Sequence, residues 1–224
     1  SSRTTFETLP SYLKRHGIVT VFRSNNSGPP PMDVDIYQTT ADILMECEGT
    51  DCPLRGYDGI LNWKLSELLT EIEGDRIFVA LHQSGSHGPA YYNKYPPDFE
   101  YFIPVCKTVQ IAKCTEEELN NAYDNTIRYT DSLIADLISQ LQELDDINAT
   151  LIYVADHGQS LGEDGYYLHG APIAFAPIEQ REIPFLVWMS DGFQQSRGLS
   201  AATILRDETF PHDFPFHSVM AAFW

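Results

Sequence analysis

Basic residues are scarce in this chain. It carries 14 Lys and Arg against 32 Asp and Glu among 224 residues, so its formal net charge is −18. Nucleic acids and anionic membrane surfaces bind basic patches, so this imbalance argues against a nucleic-acid partner and against electrostatic docking on an anionic membrane. The charge is compatible with metal binding through some carboxylates, while most acidic residues are expected to be solvated surface.

Long apolar runs are also missing. No stretch approaches the roughly 18–20 consecutive apolar residues of a membrane-spanning helix, and no signal peptide opens the chain. The hydrophobic content of 43% is typical of a packed globular core. We therefore expect a single soluble domain over residues 1–224, with any membrane anchor outside it.

Cysteine spacing of the zinc-ribbon type is absent as well. Four residues separate Cys47 from Cys52, and seven separate Cys106 from Cys114, whereas zinc ribbons use spacings such as Cys-x2-Cys. Two local disulfides are favoured, and they indicate an oxidising compartment such as the periplasm or the cell surface. Four buried free thiols are the alternative.

Helical and β-type segments alternate along the chain. Apolar periodicity, caps and breakers predict helices over 7–16, 61–72, 115–144, 200–205 and 216–223, and strands over 18–22, 76–81, 151–155 and 183–189. The longest helix opens on a capping box of Thr115 and Glu118. Its apolar stripe comprises Leu119, Tyr123, Ile127, Ile134, Leu137, Ile138 and Leu141. The alternation predicts an α/β fold with a mainly parallel sheet and helices on both faces.

An Asp-His pair follows one of the predicted strands. Asp156 and His157 come directly after 151–155, and His169 follows twelve residues later. Asp oxygens and His nitrogens are ligands that zinc prefers, and the carboxyl ends of strands in open α/β sheets are where ligands bind. The pattern predicts a metal site here; the alternative is an Asp that caps the next turn and a His that satisfies it.

A second pair of histidines follows the predicted strand 76–81. His87 lies in a Gly-rich loop suited to a functional role, and parallel strands would bring this loop to the same sheet edge as Asp156. His82 lies at the strand end itself, where a hydrogen-bonded core histidine is the favoured interpretation.

Several longer motifs give the chain a specific resemblance to a known family. They are residues 23–28 (RSNNSG), 82–91 (HQSGSHGPAY), 104–106 with 113–114 (PVC and KC), 121–125 (NAYDN), 156–162 (DHGQSLG), 167–170 (YLHG) and 174–181 (AFAPIEQR). Together they resemble the periplasmic domain of the phosphoethanolamine transferases, which modify lipid A and confer polymyxin (colistin) resistance. This family belongs to the alkaline phosphatase and sulfatase superfamily, and the match extends over about residues 7–190 in order and with similar gaps.

The resemblance implies roles for individual residues. Asp156 and His157 correspond to zinc ligands, and His87 and His169 to catalytic histidines that bind the phosphoethanolamine group or a second zinc ion. The implied disulfides are Cys47–Cys52 and Cys106–Cys114.

The reaction implied by the resemblance takes phosphoethanolamine from phosphatidylethanolamine onto a threonine. The group then passes to a lipid A phosphate or sugar, or to another glycan or protein acceptor. The implied location is the periplasmic face of the bacterial inner membrane, with membrane contact through an N-terminal transmembrane domain that this chain lacks.

The chain departs from the family pattern in three places. Nothing here matches the family's threonine nucleophile or its glutamate zinc ligand, so the domain is expected to be truncated at its N-terminus and, by itself, to hold zinc weakly. We interpret Thr4, Thr5 and Thr8 as surface or cap residues. Gln159 stands where many members have Glu, and residues 29–31 (PPP) replace a stretch that often carries Lys.

Two other functions stay open on the sequence alone. One is a hydrolase of the same superfamily, a sulfatase or a phosphodiesterase that releases its product to water. The other is a catalytically incomplete module that binds metal or nothing. Zinc-dependent phosphoethanolamine transfer is favoured over both because several long motifs agree.

Overall fold

The chain folds into two units, with the boundary between Ser84 and Gly85. The structure is a computed structural model and describes residues 7–26, 32–47, 56–144, 147–199 and 208–224. Among these residues, every helix is either too short or too polar to cross a membrane.

A parallel three-stranded sheet organises the first unit. Its elements are α1 (Leu9–Arg15), β1 (Val19–Ser24), β2 (Ile36–Thr39), α2 (Thr40–Glu46), α3 (Leu65–Glu71) and β3 (Ile77–His82). The strand order is β2-β1-β3, and β1 is parallel to both neighbours. Successive residues of β1 from Thr20 to Ser24 are all buried, as expected of a central strand covered on both faces. The predicted parallel sheet is therefore confirmed for these strands.

The first helix, Leu9–Arg15, lies within the predicted range 7–16 and begins two residues later than predicted. Thr8 is its N-cap, and the Thr8 side chain accepts a hydrogen bond from the backbone N–H of Ser11. Gly17 follows the helix with a φ of +78°, a conformation that glycine adopts without steric cost. The interpretation of Thr8 as a cap residue is confirmed, whereas Thr4 and Thr5 lie outside the described residues.

The predicted helix over 61–72 is shorter than expected. A 3-10 turn spans Asp58–Asn62, and α3 begins only at Leu65. The buried guanidinium of Arg23 explains the interruption, because its Nη1 donates to the carbonyl oxygens of both Leu61 and Trp63. Lys64 then takes a left-handed conformation, so a continuous helix cannot pass through this segment.

Weak apolar periodicity concealed two elements of the first unit. The stretch that holds β2 and α2 shows little pattern, yet Thr39 and Asp42 form a complete capping box at the start of α2. A Thr with an Asp three residues later is a recognisable start signal, so this helix could have been found from its cap.

The second unit contains the long helix and the remaining strands. Its elements are α4 (Glu116–Gln142), β4 (Thr150–Val154), β5 (Ser160–Leu161), β6 (Tyr167–Leu168), β7 (Phe185–Met189), α5 (Asp191–Arg197) and α6 (Phe214–Phe223). Strands β4 and β7 pair antiparallel, and so do β5 and β6. Helix α5 was not predicted, and the helix predicted over 200–205 lies outside the described residues.

Helix α4 begins at the predicted capping box, and its buried face overlaps the predicted stripe in part, since Leu119 and Leu137 are buried. Thr115 and Glu118 make both reciprocal bonds of the box. Ile127, which the apolar stripe placed in the core, is 45% exposed, whereas Asn125 and Thr126 are fully buried. Buried polar residues on a helix face are invisible to a pattern based on hydrophobicity, which is why the predicted stripe was wrong at Ile127 and missed Asn125 and Thr126.

Asn125 is buried because it binds a loop. Its Oδ1 accepts hydrogen bonds from the backbone N–H groups of Tyr101 and Phe102, and its Nδ2 donates to the carbonyl oxygen of Phe102. One turn earlier, the Nδ2 of Asn121 donates to the carbonyl oxygen of Pro104. The two asparagines of the 121–125 motif therefore attach the 101–104 loop to α4.

A small core surrounds Tyr91 and one disulfide. It contains Tyr91, Cys106, Ile111, Leu119 and Ala122, all buried. Cys106 is bonded to Cys114, which confirms that predicted disulfide. Cys47 is also disulfide-bonded, while Cys52 lies outside the described residues, so the pairing of Cys47 with Cys52 stays a prediction.

We predict that Asn125→Ala lowers the free energy of unfolding by about 2–3 kcal/mol, because it leaves backbone groups of the 101–102 segment without their partner. Asn121→Ala is the matched control on the same helix and should cost less than about 1 kcal/mol, since it removes one exposed bond. Urea unfolding followed by circular dichroism measures both. Equal losses for the two variants would contradict the role given to Asn125.

Candidate active site

Glycine lets the Asp-His loop after β4 lie against the segment that follows it. The N–H of Gly158 donates to the carbonyl oxygen of Gln180 at 3.1 Å. A Cβ on Gly158 would overlap the carbonyl oxygen of Glu179, so only glycine permits this approach. The Asp156–Gly162 and Ala174–Arg181 motifs therefore meet in space, and their backbones fix the position of His157.

A short hairpin places Gln159 beside His169. Strands β5 and β6 pair antiparallel with Ser160 opposite Leu168. Gln159 and His169, which flank that pair, therefore face each other. Leu168 has a φ of +63°, which is uncommon for a residue with a branched side chain. The Nδ1 of His169 lies 2.9 Å from the Oε1 of Gln159.

The loop after β3 also reaches this hairpin. Gly88 packs so closely that a Cβ there would lie 2.7 Å from both the Cδ2 of Leu168 and the hydroxyl of Tyr91. His87 immediately precedes it. Gly88 therefore allows the loop that carries His87 to approach the turn that carries His169.

Three imidazoles converge as a result. The ring centroids of His157 and His169 lie 3.8 Å apart at 33°, and those of His87 and His169 lie 6.0 Å apart at 72°. Asp156 Oδ1 lies 3.8 Å from His157 Nε2, and its side chain is 90% exposed. The structure thus brings together all four residues that the sequence singled out, although their roles stay predictions.

Hydrogen bonds fix the ring of His157. Its Nδ1 lies 2.8 Å from the carbonyl oxygen of Gly158, and a carbonyl oxygen can only accept. Nδ1 must therefore carry the proton, which leaves the lone pair of the neutral ring on Nε2. That nitrogen is the one nearest to Asp156.

A buried tyrosine supports His169 through Gln159. The Nε2 of Gln159 donates to the hydroxyl of Tyr91 at 2.7 Å, while its Oε1 faces His169. Burial raises the pKa of Tyr91 to about 12, and the bond from Gln159 opposes that shift. Sequence reasoning did not assign this role to Tyr91 or Gln159, because no local pattern links residues so far apart in the chain.

The environment of His169 favours its neutral form. Partial burial lowers the pKa of its imidazole below the ordinary value, and repulsion by His157 and His87 when they are protonated lowers it further, while Asp156 opposes them. A neutral imidazole has a free nitrogen lone pair, which is what metal binding or proton acceptance requires.

The donor chemistry around Asp156 and His157 suits zinc, which binds carboxylate oxygens and neutral imidazole nitrogens. Within the residues that the structure describes, however, no three His, Cys, Asp or Glu side chains are arranged to hold a metal ion. The donor set is therefore chemically appropriate but incomplete among these residues.

His82 has a local partner in the first unit. Its Nδ1 lies 3.0 Å from the hydroxyl oxygen of Ser24, the residue paired with it across the sheet. The ring centroids of His82 and Phe22 lie 5.9 Å apart. These contacts fit a hydrogen-bonded histidine at a strand end.

Comparison with known proteins assigns the family. The family profile described as sulfatase matches residues 1–223. The chain belongs to the sulfatase family. The predicted alkaline phosphatase/sulfatase-like fold is confirmed by the soluble domain of lipooligosaccharide phosphoethanolamine transferase A from Neisseria meningitidis, which is 35% identical with a TM-score of 0.83 over 96% of this chain and 64% of that chain.

Relatives of this sulfatase-family chain are phosphoethanolamine transferases. It is 38% identical to phosphoethanolamine transferase EptA of Helicobacter pylori over 97% of this chain and 41% of that protein. It is 39% identical to phosphatidylethanolamine transferase Mcr-1 of Escherichia coli over 81% of this chain and 35% of that protein. The chain thus spans 41% and 35% of the lengths of these two relatives.

We predict that His169 of the chelator-treated protein titrates below the ordinary value of 6.5. His157→Gln should raise this pKa because it removes a like charge, and Asp156→Asn should lower it because it removes an attractive one. NMR titration of the ring C–H signals measures all three midpoints.

The same shift sets a direction for stability. The unfolded chain binds this proton more tightly than the folded one, so stability is lost as the pH falls through about 6.5 toward the lowered pKa. A wild-type midpoint at or above 6.5, or shifts of the same sign in the two variants, would contradict the electrostatic account of His169.

Proposed function

We propose that this chain forms the phosphoryl-binding part of a phosphoethanolamine transferase. The proposed reaction moves phosphoethanolamine from phosphatidylethanolamine to lipid A or a related cell-surface acceptor. One observation carries the proposal: His87, His157 and His169 converge in a chain whose relatives include EptA and phosphatidylethanolamine transferase Mcr-1.

His87 and His169 are proposed to act on the phosphoryl group. Imidazoles around a transferring phosphoryl group can bind its oxygens and move protons. Because the pKa of His169 is lowered, its ring is neutral at pH 7 and can accept the proton of an attacking hydroxyl. The resulting imidazolium can return that proton to the leaving alkoxide.

Asp156 and His157 are proposed to hold zinc. Bound zinc would supply charge neutralisation for the phosphoryl oxygens and a lowered pKa for a hydroxyl nucleophile. The hydrogen bond from His157 Nδ1 to the carbonyl oxygen of Gly158 supports this role, because metal-bound histidines usually donate their other ring N–H to such a partner.

The proposal includes a threonine that carries phosphoethanolamine between donor and acceptor. Thr8 does not fit this role, because its hydroxyl caps α1 through Ser11. The proposal also places the reaction on the periplasmic side of the inner membrane. The Cys106–Cys114 disulfide supports an oxidising compartment.

Hydrolysis is the second candidate, because the sulfatase profile covers residues 1–223 and the same groups could direct water at a phosphate or sulfate ester. The two functions differ in where the phosphoryl group goes. A transferase delivers it to an acceptor lipid, whereas a hydrolase releases it to water.

We predict that the intact gene product carrying this chain transfers labelled phosphoethanolamine from phosphatidylethanolamine to lipid A in mixed micelles. His169→Gln and Asp156→Asn should each reduce the rate by at least about 100-fold if they act at the reacting group. Mass spectrometry of lipid A and of the aqueous phase measures transfer and release separately.

Matched controls come from the same unit. His217→Gln and Asp131→Asn make the same chemical changes at exposed positions and should leave the rate unchanged. Release of phosphoethanolamine to water without labelled lipid A would favour the hydrolase, and full activity of the site variants would refute the assigned roles.

We further predict that residues 1–224 by themselves retain little zinc on dialysis, because Asp156 and His157 supply only two of the four ligands of a tetrahedral site. Elemental analysis after dialysis against metal-free buffer measures the content. One zinc per chain that persists in the Asp156→Asn variant would show that other residues form the site.

A further inference from the structure

We propose that Gln159 is a positioning residue that fixes the tautomer of His169, holding the proton on Nδ1 and the lone pair on Nε2. The tautomer of His169 can be measured whether or not the protein is an active transferase. Its consequence for turnover rests on the proposed function.

The positioning depends on two hydrogen bonds from one amide. Gln159 Nε2 donates to the hydroxyl of Tyr91 at 2.7 Å, and Gln159 Oε1 lies 2.9 Å from Nδ1 of His169. An amide oxygen can only accept, so His169 must donate from Nδ1. The lone pair of the neutral ring is then on Nε2.

Tyr91 holds the amide of Gln159 in place. Its side chain is 1% exposed and packs edge-to-face on Tyr123, with ring centroids 5.5 Å apart. The same tyrosine belongs to the core that contains the Cys106–Cys114 disulfide. The hydroxyl of Tyr91 is therefore fixed in position. Gln159 binds it and, through its other end, holds the ring of His169 on the exposed turn.

His157 reaches the same state by a different contact. Its Nδ1 donates to the carbonyl oxygen of Gly158, so its lone pair is also on Nε2. Two neighbouring rings thus present the same type of nitrogen, one fixed by backbone and the other by the Tyr91–Gln159 pair. If the amide were turned end for end, Gln159 would donate to His169 and the tautomer would be the opposite one.

The tautomer is directly measurable. In chelator-treated, 15N-labelled protein at a pH well above the ordinary His value of about 6.5, long-range 1H–15N correlations distinguish the two tautomers. We expect the Nδ1–H form for His169 in the wild type. Gln159→Leu removes the acceptor at nearly constant volume and should convert most of the population to the Nε2–H form, which free imidazole side chains favour in water.

Two further variants separate positioning from packing. Gln159→Glu keeps an acceptor for His169 and should preserve the Nδ1–H form. Tyr91→Phe removes the hydrogen-bond partner that holds the amide, so the amide can turn and a mixture of the two tautomers is expected. Gln110→Leu is the control, since it removes an exposed amide elsewhere in the unit and should change nothing.

Turnover of the intact gene product provides a second readout. Gln159→Leu should lower kcat by about 10–100-fold, the range typical of residues that orient a functional histidine, with KM nearly unchanged, and Gln159→Glu should restore most of the rate. A wild-type Nε2–H tautomer, or the same tautomer in wild type and Gln159→Leu, would overturn the proposal. A lack of transferase activity with the expected tautomers would refute only the proposed function.

Discussion

The hydrogen bond between Tyr91 and Gln159 connects the interior of the second unit to its candidate site. The interior end is a tyrosine packed among Cys106, Leu119 and Ala122. The outer end is His169, which lies on an exposed turn. Functional side chains must be held within a fraction of an ångström of their productive geometry, so a ring on an exposed turn needs an ordered partner. The buried phenol supplies that order through one amide.

Close backbone approach is the second requirement of the site. Gly158 lies against the carbonyl oxygen of Glu179, and Gly88 lies against Leu168 and Tyr91. Each glycine stands next to a candidate site residue, His157 in one case and His87 in the other. The absence of a side chain at these two positions is what lets loops from distant parts of the sequence meet, so the histidine cluster depends on them as much as on the rings themselves.

The predictable parts of the structure are those with local signals. The capping box of Thr115 and Glu118 marks the start of α4 in the sequence. The adjacent Asp156 and His157 indicate the position of the candidate site. What could not be predicted depends on contacts across long sequence separations. Arg23 interrupts the segment before α3 by binding the carbonyl oxygens of Leu61 and Trp63, and Asn125 is buried on α4 because it binds the backbone of residues 101–102. In both cases a buried polar side chain overrides the hydrophobic pattern, and its partner cannot be read from neighbouring residues.

The net charge of the chain and the groups around His169 shift the pKa of this histidine in opposite directions. The chain carries a formal charge of −18, and a general negative field would raise the pKa of a histidine. The pKa of His169 is instead lowered, first by partial burial and then by the charges of His157 and His87. Exposed carboxylates act weakly beyond a Debye length of about 8 Å at physiological salt, whereas the two neighbouring imidazoles lie within 6.0 Å. The acidity of the surface therefore has little control over the pKa of His169, which is set by its partial burial and by the few groups next to it.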